Sequence, residues 1–157
     1  YNIPVAVARY HNIYGPEGTW QGGKEKAPAA ICRKVIQATD SIEIWGDGNQ
    51  TRSFLYIDEC IEGIQRIMND SYNKPLNLGS TCMISINQLV FLIAKLNGKN
   101  VSIRNVAGPI GVMGRNSDNK LISQTIGWTP AEDLESGLIK TYNWISQQIQ
   151  DNIADVE

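Results

Sequence analysis

Strand-like and helix-like segments alternate along this chain, and the alternation restricts the possible folds more than any other feature of the sequence. Short apolar or β-branched runs predict strands at 5–8, 42–45, 51–57, 76–79 and 101–103. Apolar residues at helical spacing predict helices at 27–38, 59–68, 86–96, 119–126 and 134–149. Such alternation is typical of an α/β or α+β fold.

Local signals mark three of the helix starts. Ser85 and Gln88 have the spacing of a capping box. Asp58 is expected to cap the helix that follows it, and either Ser117 or Asp118 to cap the short helix after it. The helix after Asp58 is expected to bury an apolar stripe formed by Ile61, Ile64, Ile67 and Met68.

The composition permits one domain and excludes several kinds of partner. The 157 residues are 42% hydrophobic, which suffices for one core. A net charge of −2 gives no general attraction to nucleic acid or to an anionic membrane. One histidine and three widely spaced cysteines predict neither a metal site nor a disulfide framework. With no signal peptide and no membrane-length apolar run, these features predict a reduced, cytoplasmic protein.

The stretch from residue 9 to residue 34 concentrates the polar chemistry of the chain. It contains the histidine and places Lys24, Lys26, Arg33 and Lys34 around the start of a predicted helix. Because strand-to-helix junctions in α/β proteins open into crevices, this cluster suits a phosphate-bearing ligand. A solvated basic face is the alternative explanation.

The strand predicted at 5–8 lies almost at the start of the sequence. A buried parallel strand needs neighbours on both sides and a crossover connection, and the few residues before it cannot supply them. We therefore expect this sequence to be a piece of a longer protein.

Three motifs, in this order, resemble one known family. Residues 9–16 are similar to an Arg-x-x-Asn-x-Tyr-Gly-Pro pattern, and residues 46–54 to Gly-Asp-Gly-x-Gln-x-Arg-x-Phe. Residues 127–130, Gly-Trp-Thr-Pro, resemble its closing motif. The family is that of the extended short-chain dehydrogenase/reductases that act on nucleotide sugars, also called NAD-dependent epimerases/dehydratases. The resemblance is to their C-terminal half and covers nearly the whole chain.

The resemblance implies an α/β fold over residues 1–157, in which one or two strands of a Rossmann sheet join the small α/β substrate-binding domain. It also implies NAD as cofactor, a nucleotide sugar as substrate and a homodimeric complete protein. The Gly-rich dinucleotide loop and the catalytic Tyr-x-x-x-Lys would lie in an N-terminal NAD-binding half that is absent from this sequence. On this interpretation the chain alone neither retains NAD nor turns over substrate.

Two loops, at 18–28 and 114–119, most resemble the members that epimerise GDP-mannose. In those enzymes NAD transiently oxidises C4 of the hexose, an acid/base pair inverts C3 and C5, and the hydride returns. The resemblance makes Lys26 the lysine of that pair. Its partner, a cysteine, would lie outside this sequence, because Cys32, Cys60 and Cys82 do not fit its place in the motif order.

The charges near Lys26 act on its proton in opposite directions. Acid/base chemistry needs a group that gives up a proton near neutrality, whereas a free lysine is almost wholly protonated. The cations Lys24, Arg33 and Lys34 would favour release of the proton, and Glu25 would oppose it. The sequence leaves the net effect open.

By the same resemblance, nine residues match positions that contact the nucleotide sugar: Asn12, Glu25, Lys26, Ala27, Lys34, Gln50, Thr51, Arg52 and Arg115. Arg52 and Arg115 suit a diphosphate because a guanidinium can bind its oxygens bidentately, and a surface ion pair is the alternative for each. Tyr10 and His11 are implied to approach the nicotinamide of the cofactor. For His11, a packed side chain satisfied by the backbone is the alternative.

Two other functions stay open on the sequence. One is a nucleotide-sugar 4-epimerase, 4,6-dehydratase or decarboxylase, which shares the scaffold but not the role of Lys26. The other is a nucleotide-binding module without catalysis.

Overall fold

The structure, a computed structural model, describes residues 3–154. Its helices are α1 (Ala27–Gln37), α2 (Ile57–Asn69), α3 (Ile86–Leu96), α4 (Lys120–Ile126) and α5 (Leu134–Ala154). Its strands are β1 (Ala8–Tyr10), β2 (Ile13–Tyr14), β3 (Ser41–Trp45), β4 (Thr51–Ser53), β5 (Leu55–Tyr56), β6 (Leu76–Leu78), β7 (Met83–Ser85), β8 (Ser102–Val106) and β9 (Gly114–Arg115). The mixture of short strands and helices confirms the predicted α/β class.

Most of the strand pairing is parallel and joins segments that are distant in sequence. β1 pairs with β6, β2 with β5 and β3 with β8, each in parallel. β4 lies between an antiparallel β7 and a parallel β9. Because parallel strands need long crossover connections, these pairings bring remote parts of the sequence together.

The strand predicted at residues 5–8 is wrong in its position. β1 covers Ala8–Tyr10, with Ala8 opposite Leu76 and Tyr10 opposite Leu78. Val5 and Val7 are 61% and 41% exposed, so they do not form a buried core strand. Pairing with β6 sets the strand position, and a local run of β-branched residues carries no information about that partner.

The capping box at the start of α3 is confirmed. The Gln88 amide donates to Ser85 Oγ at 3.1 Å, and the Ser85 amide donates to Gln88 Oε1 at 2.9 Å. The predicted cap of α2 is wrong, because Asp58 lies within the first turn and Tyr56 is the N-cap residue. The continuous strand predicted at 51–57 is likewise divided into β4 and β5.

The start of α4 differs by one residue from the prediction. Asn119 is its N-cap, rather than Ser117 or Asp118. The Asp118 carboxylate still accepts a hydrogen bond from the Lys120 amide at 3.0 Å, and Ser117 Oγ contacts Asn119 Oδ1 at 2.6 Å. The polar segment therefore stabilises the helix start through several contacts.

The larger hydrophobic core forms where α1 packs against α3 and α5. Its most deeply buried members are Cys32, Val35, Leu89, Val90, Ile93 and Ile145. Burial raises the pKa of the Cys32 thiol to about 12. The thiol therefore stays protonated and behaves as a small apolar group.

A second core lies beneath α2, and it corrects the predicted apolar stripe of that helix. Trp128 is fully buried there, and a Cβ at Gly63 would lie 3.1 Å from its ring. Ile67 is buried as expected, but Ile61 and Met68 are 46% and 72% exposed. The predicted stripe is thus wider than the buried face, because the face that packs on this core is formed by Cys60, Gly63 and Ile67.

None of the described helices is long and apolar enough to cross a membrane. Within residues 3–154, no group of three or more His, Cys, Asp and Glu side chains is placed to hold a metal ion. Cys32, Cys60 and Cys82 are free thiols.

Lys99 holds the C-terminal end of α1. Its Nζ donates to the carbonyl oxygens of Val35 at 2.8 Å, Ile36 at 2.5 Å and Ala38 at 3.4 Å. The last carbonyls of a helix lack partners within it and carry partial negative charge, so an ammonium group stabilises them. Lys99 thereby anchors the C-terminal end of α1.

We expect Lys99→Met to lower the free energy of unfolding by about 1–2 kcal/mol, because it keeps the aliphatic stem but removes the hydrogen bonds to α1. Urea unfolding at neutral pH measures this change. Lys95→Met, at an exposed position of α3, is the control and should change the value by less than about 0.5 kcal/mol. Equal effects of the two substitutions would contradict the anchoring role.

Candidate functional site

A cavity of about 460 Å³ opens beside α1, whose residues from Ala27 to Lys34 contribute to its wall. Its wall is formed by the loop before α1, by α1 itself, by the end of β3 and by the residue before β4. Four of the predicted substrate-binding residues line it together: Glu25, Ala27, Lys34 and Gln50. The structure thus gathers predicted residues from separate segments into one cavity.

A tight turn after β3 brings Gln50 to this cavity. Gly48 has a φ of +72°, which glycine adopts without strain, and a Cβ there would lie 1.9 Å from Asn87 Oδ1. The Asp47 carboxylate accepts a hydrogen bond from the Asn49 amide at 3.0 Å. The Gly-Asp-Gly motif therefore fixes the turn, and Gln50, 8% exposed, forms part of the cavity wall.

Arg33 holds Glu25 in a partly buried ion pair. Arg33 Nη2 donates to Glu25 Oε1 at 2.8 Å, and Arg33 Nε donates to the carbonyl oxygen of Trp20 at 3.1 Å. Burial would by itself raise the pKa of the Glu25 carboxyl. Hydrogen bonds from the amides of Glu25 and Gly23 and from the Arg33 guanidinium outweigh burial and hold that pKa below its usual range. Glu25 is therefore an anion at neutral pH.

Lys26 occupies the N-cap position of α1 and is exposed. Its neighbours Glu25 and Ala27 line the cavity, whereas Lys26 itself is not among the wall residues. Lys34 donates from Nζ to the carbonyl oxygen of Glu43 at 2.6 Å. Two of the cations expected to crowd Lys26 thus have partners of their own, Arg33 with Glu25 and Lys34 with Glu43.

Arg52 and Arg115 lie directly opposite each other in the parallel pairing of β4 with β9. Residues in register on adjacent strands share a face and are about 5 Å apart at the backbone, where like charges repel. Arg52 is anchored by bonds from Nη2 to the Val112 carbonyl oxygen at 2.5 Å and from Nη1 to that of Thr51 at 2.6 Å. Thr51 donates its amide to the Met113 carbonyl oxygen at 2.8 Å. Two arginines in register on adjacent strands are well suited to a diphosphate, because guanidinium groups bind its oxygens bidentately.

The last residue of β1 and the two residues after it are the remaining predicted residues. Asn12 has a φ of +42°, and its Nδ2 donates to the Ser53 carbonyl oxygen at 3.0 Å. The His11 amide donates to the Leu78 carbonyl oxygen at 3.0 Å, and Tyr10 is 58% exposed. Asn12 thereby links this segment to β4, whereas the cavity wall formed by the described residues does not include any of the three.

His11 is packed closely on one side. A Cβ at Gly79 would lie 2.7 Å from the Cβ of His11 and 2.6 Å from that of Ser117. This contact supports the alternative in which His11 is a packed side chain. The residue as a whole remains partly exposed.

The described residues do not provide a dinucleotide-binding loop. Gly108, Gly111 and Gly114 have Gly-x-x-Gly-x-x-Gly spacing after β8, but the segment continues into β9 rather than into a helix. In dinucleotide-binding folds, the N-terminus of the helix after such a loop holds the pyrophosphate. This segment therefore does not fit NAD.

Trp45 and Pro109 are wall residues of the cavity that sequence reasoning did not identify. Trp45 ends β3 opposite Val106 of β8, and a Cβ at Gly108 would lie 2.6 Å from its indole. The pairing of β3 with β8 thus brings Pro109 to the cavity. Trp45 directly precedes the Gly-Asp-Gly motif, which is the signal that could have identified it.

Residues 1–79 match the family described as the NAD dependent epimerase/dehydratase family. This match covers half of the sequence, and the predicted resemblance is confirmed. The chain belongs to the NAD dependent epimerase/dehydratase family.

Two plant proteins are similar to nearly the whole chain. GDP-mannose 3,5-epimerase 1 from Oryza sativa subsp. japonica is 50% identical over 150 residues, covering 96% of this chain and 40% of the relative. GDP-mannose 3,5-epimerase from Arabidopsis thaliana is 49% identical over 150 residues, with the same coverage. The chain thus spans about 40% of the length of these curated relatives.

A solved structure supports the same fold. UDP-glucuronic acid 4-epimerase from Bacillus cereus, in complex with UDP-glucuronic acid and NAD, matches with a TM-score of 0.82 and 27% identity. The match covers 93% of this chain and 46% of that one. The fold of this chain is therefore that of part of an extended short-chain dehydrogenase/reductase.

We expect Glu25→Gln to lower the free energy of unfolding by about 1–3 kcal/mol at neutral pH, because Arg33 loses its charged partner. Since the folded pKa of Glu25 is lowered, its contribution is complete above the ordinary value of 4.5 and is lost as the pH falls through the folded value. The difference in urea unfolding between wild type and variant should therefore shrink as the pH falls below 4.5.

Glu62→Gln is the control for this measurement, because Glu62 forms an exposed ion pair with Arg66 on α2. It should change the free energy of unfolding by less than about 0.5 kcal/mol at neutral pH. A difference for Glu25→Gln that stays constant with pH would contradict an ionised, stabilising Glu25.

Proposed function

We propose that this chain is the substrate-binding part of an NAD-dependent nucleotide-sugar epimerase whose substrate is GDP-mannose. The complete enzyme inverts C3 and C5 of the hexose, with Lys26 as one member of the acid/base pair. Family membership and 50% identity to a GDP-mannose 3,5-epimerase support this proposal.

The observation that carries the proposal is the continuity between the cavity and the arginine pair. Gln50 lines the cavity and directly precedes β4, and its carbonyl oxygen accepts from the Ile86 amide at 3.2 Å, which extends the pairing of β4 with β7 by one residue. Arg52 follows two residues later. Side chains at i and i+2 of a strand share a face and are about 6–7 Å apart. A ligand whose flat ring lies in the cavity can therefore place the groups attached to that ring near Arg52 and Arg115. This is the order of a nucleoside followed by a diphosphate.

Each predicted residue has a role in this proposal. Glu25, Ala27, Lys34 and Gln50 surround the nucleoside, and Arg52 and Arg115 neutralise the diphosphate. Lys26, which lies between the wall residues Glu25 and Ala27 in the sequence, transfers protons at the hexose. Asn12 and Thr51 remain predicted contacts of the sugar nucleotide, and Tyr10 and His11 of the nicotinamide.

We assign NAD binding to the complete enzyme rather than to this chain alone. A groove beside β1 exposes apolar side chains, among them Ile3 at 71%, Val5 at 61% and Met68 at 72%. Large exposed apolar patches mark surfaces that other protein surfaces cover. We propose that an N-terminal NAD-binding half packs there, since the plant relatives are longer than this chain. A cytoplasmic location and a homodimeric complete enzyme are further parts of the proposal.

Arg115→Met should weaken the binding of GDP-mannose to this chain about tenfold or more, because it removes charge-assisted hydrogen bonds to the diphosphate. An NMR titration of the amide signals measures dissociation constants into the millimolar range. Guanosine, which lacks the diphosphate, should bind equally well before and after the substitution.

Arg66→Met is the matched control, because Arg66 is an arginine of α2 that pairs with Glu62. It should leave both affinities unchanged. If Arg115→Met weakens guanosine as much as GDP-mannose, the assignment of Arg115 to the diphosphate is refuted. If GDP-mannose does not bind at all, the proposed function is refuted.

In the complete enzyme, Lys26→Ala should slow exchange of the C3 and C5 hydrogens of GDP-mannose with solvent deuterium by about 100- to 10,000-fold, the usual contribution of a positioned acid or base. The affinity for GDP-mannose should change little, which separates proton transfer from binding. Lys24→Ala, in the same loop, is the control. Unchanged exchange at C3 and C5 would refute the acid/base role of Lys26. No exchange at C3 and C5 by the unsubstituted enzyme would favour a 4-epimerase, 4,6-dehydratase or decarboxylase.

A further inference from the structure

The four residues after Arg115, which we call the anchor segment (116–119), contain a buried polar pair. Ser117 and Asn119 are 3% and 6% exposed, whereas their neighbours in the sequence are exposed. The Ser117 hydroxyl donates to Asn119 Oδ1 at 2.6 Å, and Asn119 Nδ2 donates to the Gly79 carbonyl oxygen at 2.6 Å. Buried polar groups that satisfy one another in this way favour a single arrangement of the segments that they join.

The side chain of Asn119 serves this link rather than the helix that follows it. Asn119 is the N-cap residue of α4, but its side chain makes no capping hydrogen bond. The Asp118 carboxylate accepts from the Lys120 amide at 3.0 Å at the start of that helix. An N-cap asparagine usually accepts from an amide of the first helical turn, so capping does not explain the buried amide of Asn119.

Three segments meet at Gly79, directly after β6. A Cβ there would lie 2.6 Å from the Cβ of Ser117 and 2.7 Å from that of His11. Asn77 Nδ2 donates to the carbonyl oxygen of Asp118 at 3.1 Å, which is a second bond between the anchor segment and the β6 region. The anchor segment is therefore fastened beside the ends of β1 and β6.

The strand that carries Arg115 needs such support. β9 has only two residues, and its pairing with β4 places Arg115 opposite Arg52. Like charges in register on adjacent strands repel. The pairing of β9 with β4 is therefore a weak support for Arg115, and the anchor segment supplies a second one from the side of β6.

We propose that Asn119 is a positioning residue, which holds Arg115 in place for the diphosphate by joining the anchor segment to Gly79. The Ser117 hydroxyl fixes the orientation of the Asn119 amide, since Oδ1 faces Ser117 and Nδ2 faces Gly79. In this role Asn119 does not contact the ligand, and its effect on binding passes through Arg115. The inference rests on the proposed function, because Arg115 must bind a diphosphate.

NMR titrations of the chain with GDP-mannose and with guanosine test this role. Asn119→Ala removes the links to Ser117 and Gly79, and it should weaken GDP-mannose about fivefold. Guanosine, which lacks the diphosphate, should bind as tightly as before. A loss of binding that is equal for the two ligands would overturn the inference, because Asn119 would then act on the fold as a whole.

A double-mutant cycle tests whether Asn119 acts through Arg115. In a chain that already carries Arg115→Met, the further substitution Asn119→Ala should change the affinity for GDP-mannose by less than about twofold, because the residue that Asn119 positions is gone. If the two substitutions instead multiply as independent effects, the inference is overturned.

Two further variants separate positioning from a loss of stability. Ser117→Ala keeps Asn119 but removes the hydroxyl that orients its amide, so it should weaken GDP-mannose about two- to threefold, and only while Arg115 is present. Thr141→Val is the control, because it removes a buried hydroxyl whose hydrogen bond to the Gly137 carbonyl oxygen lies near the start of α5. It should leave both affinities unchanged, and a loss equal to that of Asn119→Ala would overturn the inference.

The inference and the proposed function fail in different ways. If Arg115→Met weakens GDP-mannose and Asn119→Ala does not, only the positioning role is refuted. If GDP-mannose does not bind to the wild type, both are refuted.

Discussion

Burial of α1 between α3 and α5 is the constraint on which the rest of this structure depends. Cys32 and Val35 on the inner face of α1 are completely buried, so the helix cannot rotate without opening the core. Lys99 fixes the C-terminal end of α1, and Arg33, on its outer side, draws the loop with Glu25 onto the helix. Because α1 is a rigid helix, the packing of Cys32 and Val35 in the core determines where the cavity-lining residues of the same helix lie.

The sequence predicted those elements whose determinants are local. The capping box of Ser85 and Gln88 lies within one helical turn, and the structure has both of its hydrogen bonds. The strand expected at 5–8 was misplaced because a strand is defined by its partner, and β6 is nearly seventy residues away. Asp58 shows the same limit. Its side chain suits an N-cap, but α2 begins at Ile57, directly after β5, so Asp58 lies inside the helix.

Four wall residues of the cavity were predicted from the sequence, but their arrangement in space was not. The Gly-Asp-Gly motif and the loop before α1 identified Glu25 and Gln50 separately, and the structure places both at one cavity. Arg33 was expected only as a cation near Lys26, yet its main contact is the ion pair with Glu25. Pro109 had no signal in the sequence, because it reaches the cavity only through the pairing of β3 with β8.

Two features of the chain are unfavourable in the absence of a ligand: unpaired hydrogen-bond acceptors and a pair of like charges. At the cavity, Glu25 and Gln50 present acceptors that are unpaired within the described residues. Farther along, Arg52 and Arg115 place like charges in register on β4 and β9, which opposes the pairing of the two-residue β9. A nucleotide sugar, the ligand of the proposed function, would relieve both, because its ring carries donors and its diphosphate carries negative charge. On that proposal the ring lies beside α1 and the diphosphate lies near Arg52 and Arg115.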